Sequence, residues 1–299
     1  MRTISSKFKS LNTTGVLFIL PAVLIVILLL IYPILSSLYV SFTSKHLIRP
    51  RYDWVWLDNF KFVLTNADFY IAFLNSIKWT IYSIAGQLII GFLAALALNR
   101  IPKYSGFFRT LLIIPWAFPA IVIAFSWKWI LNDVYGFVPN LLTQLGLTHL
   151  NINFLADPAF VFGTAVFINV WFGAPLFMVN ILSALKTIPS DQYEAAVMDG
   201  ATSLQSFWLI TVRHIRGVIG LLLVLRTIWI FNNFDLLYLL TGGGPSDLTT
   251  TLPIFAYKTG WGMKQLGIAS AITVILLLFL LAICMLYFKL LNKWEREDR

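Results

Sequence analysis

Six apolar runs, each long enough to cross a bilayer, constrain this 299-residue chain more than anything else in it. A helix needs about 20 predominantly apolar residues to traverse roughly 30 Å of hydrocarbon. The runs cover residues 15–40, 72–98, 110–131, 160–182, 217–240 and 266–290. Stretches such as Val23-Leu24-Ile25-Val26-Ile27-Leu28 do not alternate apolar with polar, so they predict helices and not a transmembrane barrel. With 59% hydrophobic and 12% charged residues, the chain has too little charge to cover a soluble fold. A disordered chain needs the opposite balance. The net charge of +9 comes from basic residues scattered between apolar runs, which form no stripe for nucleic acid. A single cysteine, Cys284, excludes a disulfide framework and reads as a packing residue of the last span. His46, His149 and His214 are isolated and give no metal spacing, so no cofactor is expected. The partner implied by all of this is membrane lipid.

An even number of spans puts both termini on one side. With the termini in the cytoplasm, the inner segments hold the larger share of the 22 Lys and Arg residues, among them Arg2, Lys7, Lys9, Arg100, Lys103, Arg109 and Lys186. That bias favours cytoplasmic termini, although Lys45, Arg49, Arg51 and Lys61 sit together in one outer loop. The organisation expected is a cytoplasmic N-terminus at 1–14, a first helix at 15–40, a five-helix core at 72–290 with a cytoplasmic loop at 186–216, and a cytoplasmic C-terminus at 291–299. The first run is too long for a signal-peptide core and lacks a clean cleavage pattern, so it reads as an uncleaved helix.

Several residues interrupt the runs. Pro115 and Pro119 predict a kink in the third span, which serves either packing or a bend lining a pathway. Gly91 with Ala95, and Gly267 with Ala271, have the small-xxx-small spacing of close helix approach. The fifth span carries Arg226, Asn232, Asn233 and Asp235, and polar groups at that depth usually face a bundle interior or a water-filled cavity. Arg226, Trp229, Ile230 and Asn233 fall at i, i+3, i+4 and i+7, one helical face. Such a stripe suits a sugar route, with amides and guanidinium bonding hydroxyls and tryptophan stacking on the apolar sugar face. The alternative is that Arg226 snorkels and the asparagines bond neighbouring helices. Asp235 lies nearly opposite Arg226 on that wheel and reads as structural. On the fourth span Asn169, Trp171, Gly173 and Asn180 are further candidates, with core packing the competing role for Trp171. Gly242-Gly243-Gly244-Pro245 lacks the Lys-Ser/Thr of a phosphate loop and reads as a flexible outer loop.

The loop between the fourth and fifth spans is the most specific segment. Pro189 stops what precedes it, and Ser190 is placed to cap a helix. Asp191 and Glu194 lie near the positive end of its dipole. Gly200 can take the left-handed conformation that closes it. Thr202-Ser203-Leu204-Gln205 offers a capping box for a second helix. Small Ala195 and Ala196 suit docking into another protein's cleft, whereas Asp191, Glu194 and Asp199 disfavour lying on anionic lipid.

Glu194-Ala195-Ala196, Asp199-Gly200-Ala201 and Ile210-Thr211 resemble the EAA loop of inner-membrane permeases of ATP-binding-cassette importers. Most of the chain resembles the six-span sugar-type permeases of the maltose and glycerol-phosphate group. The matching set includes Arg109, Pro115-Trp116, Pro119, Gly136, Asn140, Phe234-Asp235, Leu240-Thr241-Gly242-Gly243-Gly244-Pro245, Thr251-Leu252-Pro253 and Tyr257. The resemblance implies an all-α integral membrane protein of the type I importer (MetI-like) fold with an EAA coupling helix. It also implies a non-enzymatic subunit that works with a second homologous permease, two ATP-binding subunits and an extracytoplasmic solute-binding protein. On matching positions Glu194, Ala195, Ala196, Asp199 and Gly200 become ATPase-coupling residues, and Asn233 matches a substrate-lining asparagine. Asn232, Trp229, Arg226 and Trp171 join it as pathway candidates. Where the family has two prolines after Ile-Thr, this chain has Arg213 and Gly217, so the second coupling helix is expected to run on into the fifth span. A secondary transporter using Arg226 and Asp235 as coupling charges is the rival reading, but no internal repeat supports it.

Overall fold

A computed structural model describes residues 13–147 and 152–297. The expected N-terminal segment at 1–14 therefore lies almost wholly outside the described residues, as do His149 and Arg299. The chain runs α1 (Thr13–Val26), a π-helical turn (Ile27–Ile31), α2 (Tyr32–Ser41), α3 (Asp58–Thr65), α4 (Ala67–Arg100), α5 (Ser105–Ala117), α6 (Ala120–Ile130) and α7 (Phe137–Gln144). It continues with α8 (Val161–Leu185), α9 (Ser190–Met198), α10 (Ser203–Ser206), a π-helical segment (Phe207–Val212), α11 (Arg213–Phe231) and α12 (Asp235–Thr241). Then follow α13 (Leu252–Tyr257), a π-helical turn (Lys258–Gly262) and α14 (Leu266–Glu297). Among the described residues the β structure amounts to an isolated bridge between Thr43 and Trp54.

Among the described residues, five helical stretches are long and apolar enough to span: Leu17–Ser41, Ala67–Arg100, Val161–Leu185, Ser203–Phe231 and Leu266–Lys289. The third expected span is instead two helices, α5 and α6, bent by 92°. At 1.5 Å per residue each measures only about 20 Å or less, too short to cross alone. The break lies at Phe118, which is extended (φ −90°, ψ 147°) as the residue before a proline prefers, while Pro115 stays inside α5. Pro119, not Pro115, thus makes the bend.

Two compact units divide the chain. In the first, through Thr65 with Ala256–Ile275, the loop after α2 is pinned by Asn59, whose Nδ2 donates to the Ser41 and Thr43 carbonyls, both at 2.8 Å. A Cβ at Gly267 would overlap the Thr43 carbonyl, and the Gly267 amide donates to Lys45 O at 2.9 Å. Gly267 therefore makes room for a loop, where its spacing with Ala271 suggested helix contact.

The second unit holds Asn66–Phe255 and the chain from Leu276. Its spine is α4 against α8. A Cβ on Gly91 would lie 2.8 Å from Ala174 O and 2.9 Å from Met178 N, so the glycine is what lets these backbones meet. Ala95 continues the seam with Phe177, Met178, Ile181 and Leu182, all buried. Helix α11 joins it through Ile215 and Leu222, and the Trp79 indole N–H donates to the Ile230 carbonyl at 3.1 Å. Helix α12 packs on α6 through Leu236, Leu240, Ile123 and Ala124. The glycine-rich loop after α12 is stitched down, contrary to the flexible loop expected. Thr241 and Thr249 hydroxyls lie 2.7 Å apart, and Thr250 donates to Gly243 O at 3.0 Å. Asn75 Nδ2 donates to the carbonyls of Asp247 (3.1 Å) and Thr250 (3.2 Å).

Gly91→Ala is expected to cost about 1–3 kcal/mol through overpacking of this seam. Gly106, where a Cβ meets nothing within 4 Å, provides the control. Thermal unfolding of the two variants in detergent measures the contrast.

Candidate functional site

The loop between α8 and α11 holds two capped helices. Helix α9 begins at Ser190 with Pro189 as its N-cap, and no side chain caps it. Ser190 is thus a helical residue and not the cap: proline, already extended at φ −63° and ψ 137°, occupies that position. Gly200 adopts φ +79°. Its amide donates to Val197 O at 3.0 Å and the Ala201 amide to Ala196 O at 2.9 Å, the paired bonds of a Schellman closure. Thr202 and Gln205 form the expected capping box, with Thr202 N to Gln205 Oε1 at 2.8 Å and Gln205 N to Thr202 Oγ1 at 3.3 Å. Glu194, Ala195, Asp199 and Gly200 are exposed, and Ala196 is half-buried. Large apolar side chains stand out beside them: Val197, Met198, Leu204, Trp208 and Leu209.

One feature of this loop was not anticipated. The Tyr193 hydroxyl lies 2.7 Å from the Thr211 hydroxyl, tying α9 to the π-helical segment. The chain is also helical without interruption from Ser203 to Phe231, as the missing prolines led one to expect.

The fifth span then ends earlier than its hydropathy suggests. Helix α11 stops at Phe231, Asn232 is its C-cap, and α12 starts only at Asp235. Arg226 and Trp229 share a helical face, but Asn233 falls in the break and does not extend their stripe. Asn232 is exposed, and its Nδ2 donates to Ile228 O at 3.0 Å. Asn233 Oδ1 is buried without a hydrogen-bond partner. Non-helical backbone inside a span is tolerated where it is enclosed by protein or lines a cavity. Asp235 lies in the first turn of α12, where the helix dipole favours a carboxylate, so the wheel that put it opposite Arg226 no longer applies.

Arg226 is 6% exposed and so does not snorkel. Its Nε and Nη2 both donate to Gln87 Oε1, at 3.0 and 2.6 Å. Gln87 Nε2 donates in turn to the Asn169 carbonyl at 2.9 Å. Close by in sequence, Asn169 Nδ2 and Ser83 Oγ are buried without partners. Gln87 is a residue of this network that was not among the sequence candidates. Its signal was a buried polar face on α4, Ser76, Thr80, Ser83 and Gln87, at helical spacing in an apolar run. Trp171 stands elsewhere on α8, edge-on to Trp127 at 5.5 Å, in an apolar groove with Pro115, Leu111 and Ala174. Asn180 donates to Leu176 O within its own helix. Among the described residues no group of His, Cys, Asp or Glu is placed to hold a metal ion.

Residues 87–296 match the family described as binding-protein-dependent transport system inner membrane component. The chain belongs to this family. The permease is 32% identical over 283 residues to the trehalose/maltose transport system permease of Thermococcus litoralis, covering 95% of each chain. It is 31% identical over 287 residues to the diacetylchitobiose uptake system permease of Streptomyces coelicolor, covering 94% of this chain and 88% of that one. Its fold is similar to a solved bacterial ABC transporter involved in import of the acidic polysaccharide alginate (TM-score 0.82, 23% identity, 94% and 96% covered). The permease is thus an all-helical inner-membrane component with the type I importer fold.

Thr202→Ala should remove a cap worth ~1 kcal/mol, so the Gln205 amide should exchange about fivefold faster in hydrogen–deuterium exchange. Amides inside α11 should keep their protection.

Proposed function

We propose that this chain forms half of the transmembrane pathway of an ATP-binding-cassette importer that carries a sugar, oligosaccharide or polyol. A solute-binding protein delivers the solute outside, and two ATP-binding subunits supply the energy from the cytoplasm. A second, related permease completes the pathway, and both termini lie in the cytoplasm. The observation that carries the reading is the α9–α10 loop. A helix closed by Gly200 at φ +79°, followed at once by a capping box, stands exposed with small and apolar residues outward. Glu194, Ala195, Ala196, Asp199 and Gly200 are its contact to an ATPase. The saccharide class is supported by the relatives, whose names specify trehalose and maltose in one case and diacetylchitobiose in the other.

Arg226, Trp229, Asn232 and Asn233 line the solute route, around the break that ends α11. Trp171 instead packs edge-on to Trp127 in the apolar groove beside Pro115 and Ala174, the packing role also open to it. The secondary-transporter reading loses its charge pair, because Arg226 is bonded to Gln87 and Asp235 opens the next helix.

Purification of the C-terminally tagged chain from native membranes tests the assembly. An ATP-binding subunit and a second permease should come with it and be lost on joint substitution of Glu194 and Gly200. A chain that purifies alone and still moves maltose, trehalose or diacetylchitobiose into vesicles overturns the importer reading.

Two further outcomes are expected. Gly200→Val should abolish ATP-driven uptake while the protein still inserts, because valine disfavours positive φ. A Cβ there meets nothing within 4 Å, so the change is conformational and not a clash. Asn233→Ala should alter uptake with ATPase binding retained, and a parallel loss of both would mark Asn233 as a packing residue.

A further inference from the structure

A guanidinium at bilayer depth is costly unless its donors are met, and such groups mark pathways or tightly built contacts. Arg226 has no carboxylate partner among the described residues, and its hydrogen bonds go to the neutral Gln87. Gln87 is fully buried, and both ends of its amide are committed. Oε1 accepts two N–H groups from Arg226, and Nε2 donates to Asn169 O. A flipped amide would set donor against donor on the arginine side and acceptor against acceptor on the carbonyl side, so one orientation is imposed. Gly173 completes the site from α8, since a Cβ there would overlap Gln87 Nε2, Gln87 Cδ and Arg226 Nη2. The Arg226 guanidinium lies over the Trp229 indole, 5.8 Å from its ring centroid. Trp229 itself is 56% exposed, so an interior network on three helices ends on an accessible ring.

We propose that Gln87 and Gly173 are positioning residues that hold the Arg226 guanidinium against Trp229 and so fix the attitude at which this indole meets a saccharide ring. The inference rests on Trp229 lining the solute route, and it adds to that route two residues that touch no solute. Gln87 supplies the acceptor that orients the fork, and Gly173 supplies the space the pair needs. A stack on a sugar face depends on ring tilt, so a ring free to swing should grip less well even with every route-lining residue present.

The permease, assembled with its co-purifying subunits and labelled with 5-fluorotryptophan, gives a direct readout. Trp229→Phe assigns the Trp229 fluorine resonance among the 11 tryptophans. Gln87→Met removes the acceptor at similar volume, and Gly173→Ala displaces the pair without replacing either partner. Both should shift and broaden the Trp229 resonance, and Gln87→Glu, which keeps acceptor oxygens, should leave it sharp. In vesicles carrying whichever of maltose, trehalose and diacetylchitobiose the wild type takes up, Gln87→Met should raise the half-saturating concentration about two- to fivefold, the range a lost cation–π contact supports. The same substitution should add nothing further in a Trp229→Ala background. A Trp229 resonance unmoved by both Gln87→Met and Gly173→Ala overturns the proposal. So do additive effects of Gln87→Met and Trp229→Ala on uptake. If the resonance moves yet Trp229→Ala leaves uptake unchanged, the placement of Trp229 in the route is what fails, and the role assigned to Gln87 in transport falls with it.

Discussion

Inside hydrocarbon a peptide group has no water to bond, so a chain can leave the helix only where its own atoms take over the freed donors and acceptors. That constraint organises the membrane-spanning part of this permease. It leaves the helix inside an apolar run at Phe118–Pro119 and again at Asn232 to Phe234. Each break is answered locally. Pro119 has no N–H to satisfy, and its carbonyl accepts from Val122 and Ile123. Asn232 returns its own amide to the preceding turn. The Asn232 side chain thus meets one backbone carbonyl at the second break, while Asn233 Oδ1 is buried without a partner.

The same rule applies to side chains. Arg226 is tolerable because Gln87 meets two of its donors, and Gln87 because Arg226 and the Asn169 carbonyl meet both ends of its amide. The seam of α4 on α8 makes the arrangement possible: Gly91 brings the two backbones together, and Gly173 leaves the volume in which the pair sits. A Cβ at Gly173 would intrude on the pair directly, and one at Gly91 would press on the α8 backbone.

Much of this was legible in the sequence, and the reasons differ by residue. Gly200 and the Thr202–Gln205 box were readable because each is a local bargain between neighbours, settled by φ or by one hydrogen bond. Ser190 was misplaced because Pro189, already fixed in φ, took the capping position. The end of α11 was hidden because leucines and phenylalanines on both sides of Asn232 and Asn233 keep the hydropathy high across the gap. Gln87 was hidden for a different reason: its partner lies 139 residues away, and nothing local in an apolar run announces a contact at that distance. The bend of the third span was foreseen, but its size was not, since two prolines four residues apart do not say which of them breaks the helix.

The unbroken stretch from Ser203 to Phe231 has a mechanical consequence. Its 29 residues make a rod of about 43 Å, roughly two-fifths longer than the hydrocarbon is thick. About nine residues therefore overhang the bilayer, and the Tyr193–Thr211 bond grips the rod on that overhang. A stiff beam held near one end acts as a lever: a tilt of about 10° about the Thr211 grip displaces its far tip by about 5 Å, given the same rise per residue. That tip is the pair of asparagines at the break. A proline hinge at Arg213 or Gly217 would have absorbed the rotation as bending; without one, angle applied at the end beside the α9–α10 loop is delivered as translation at the asparagine break.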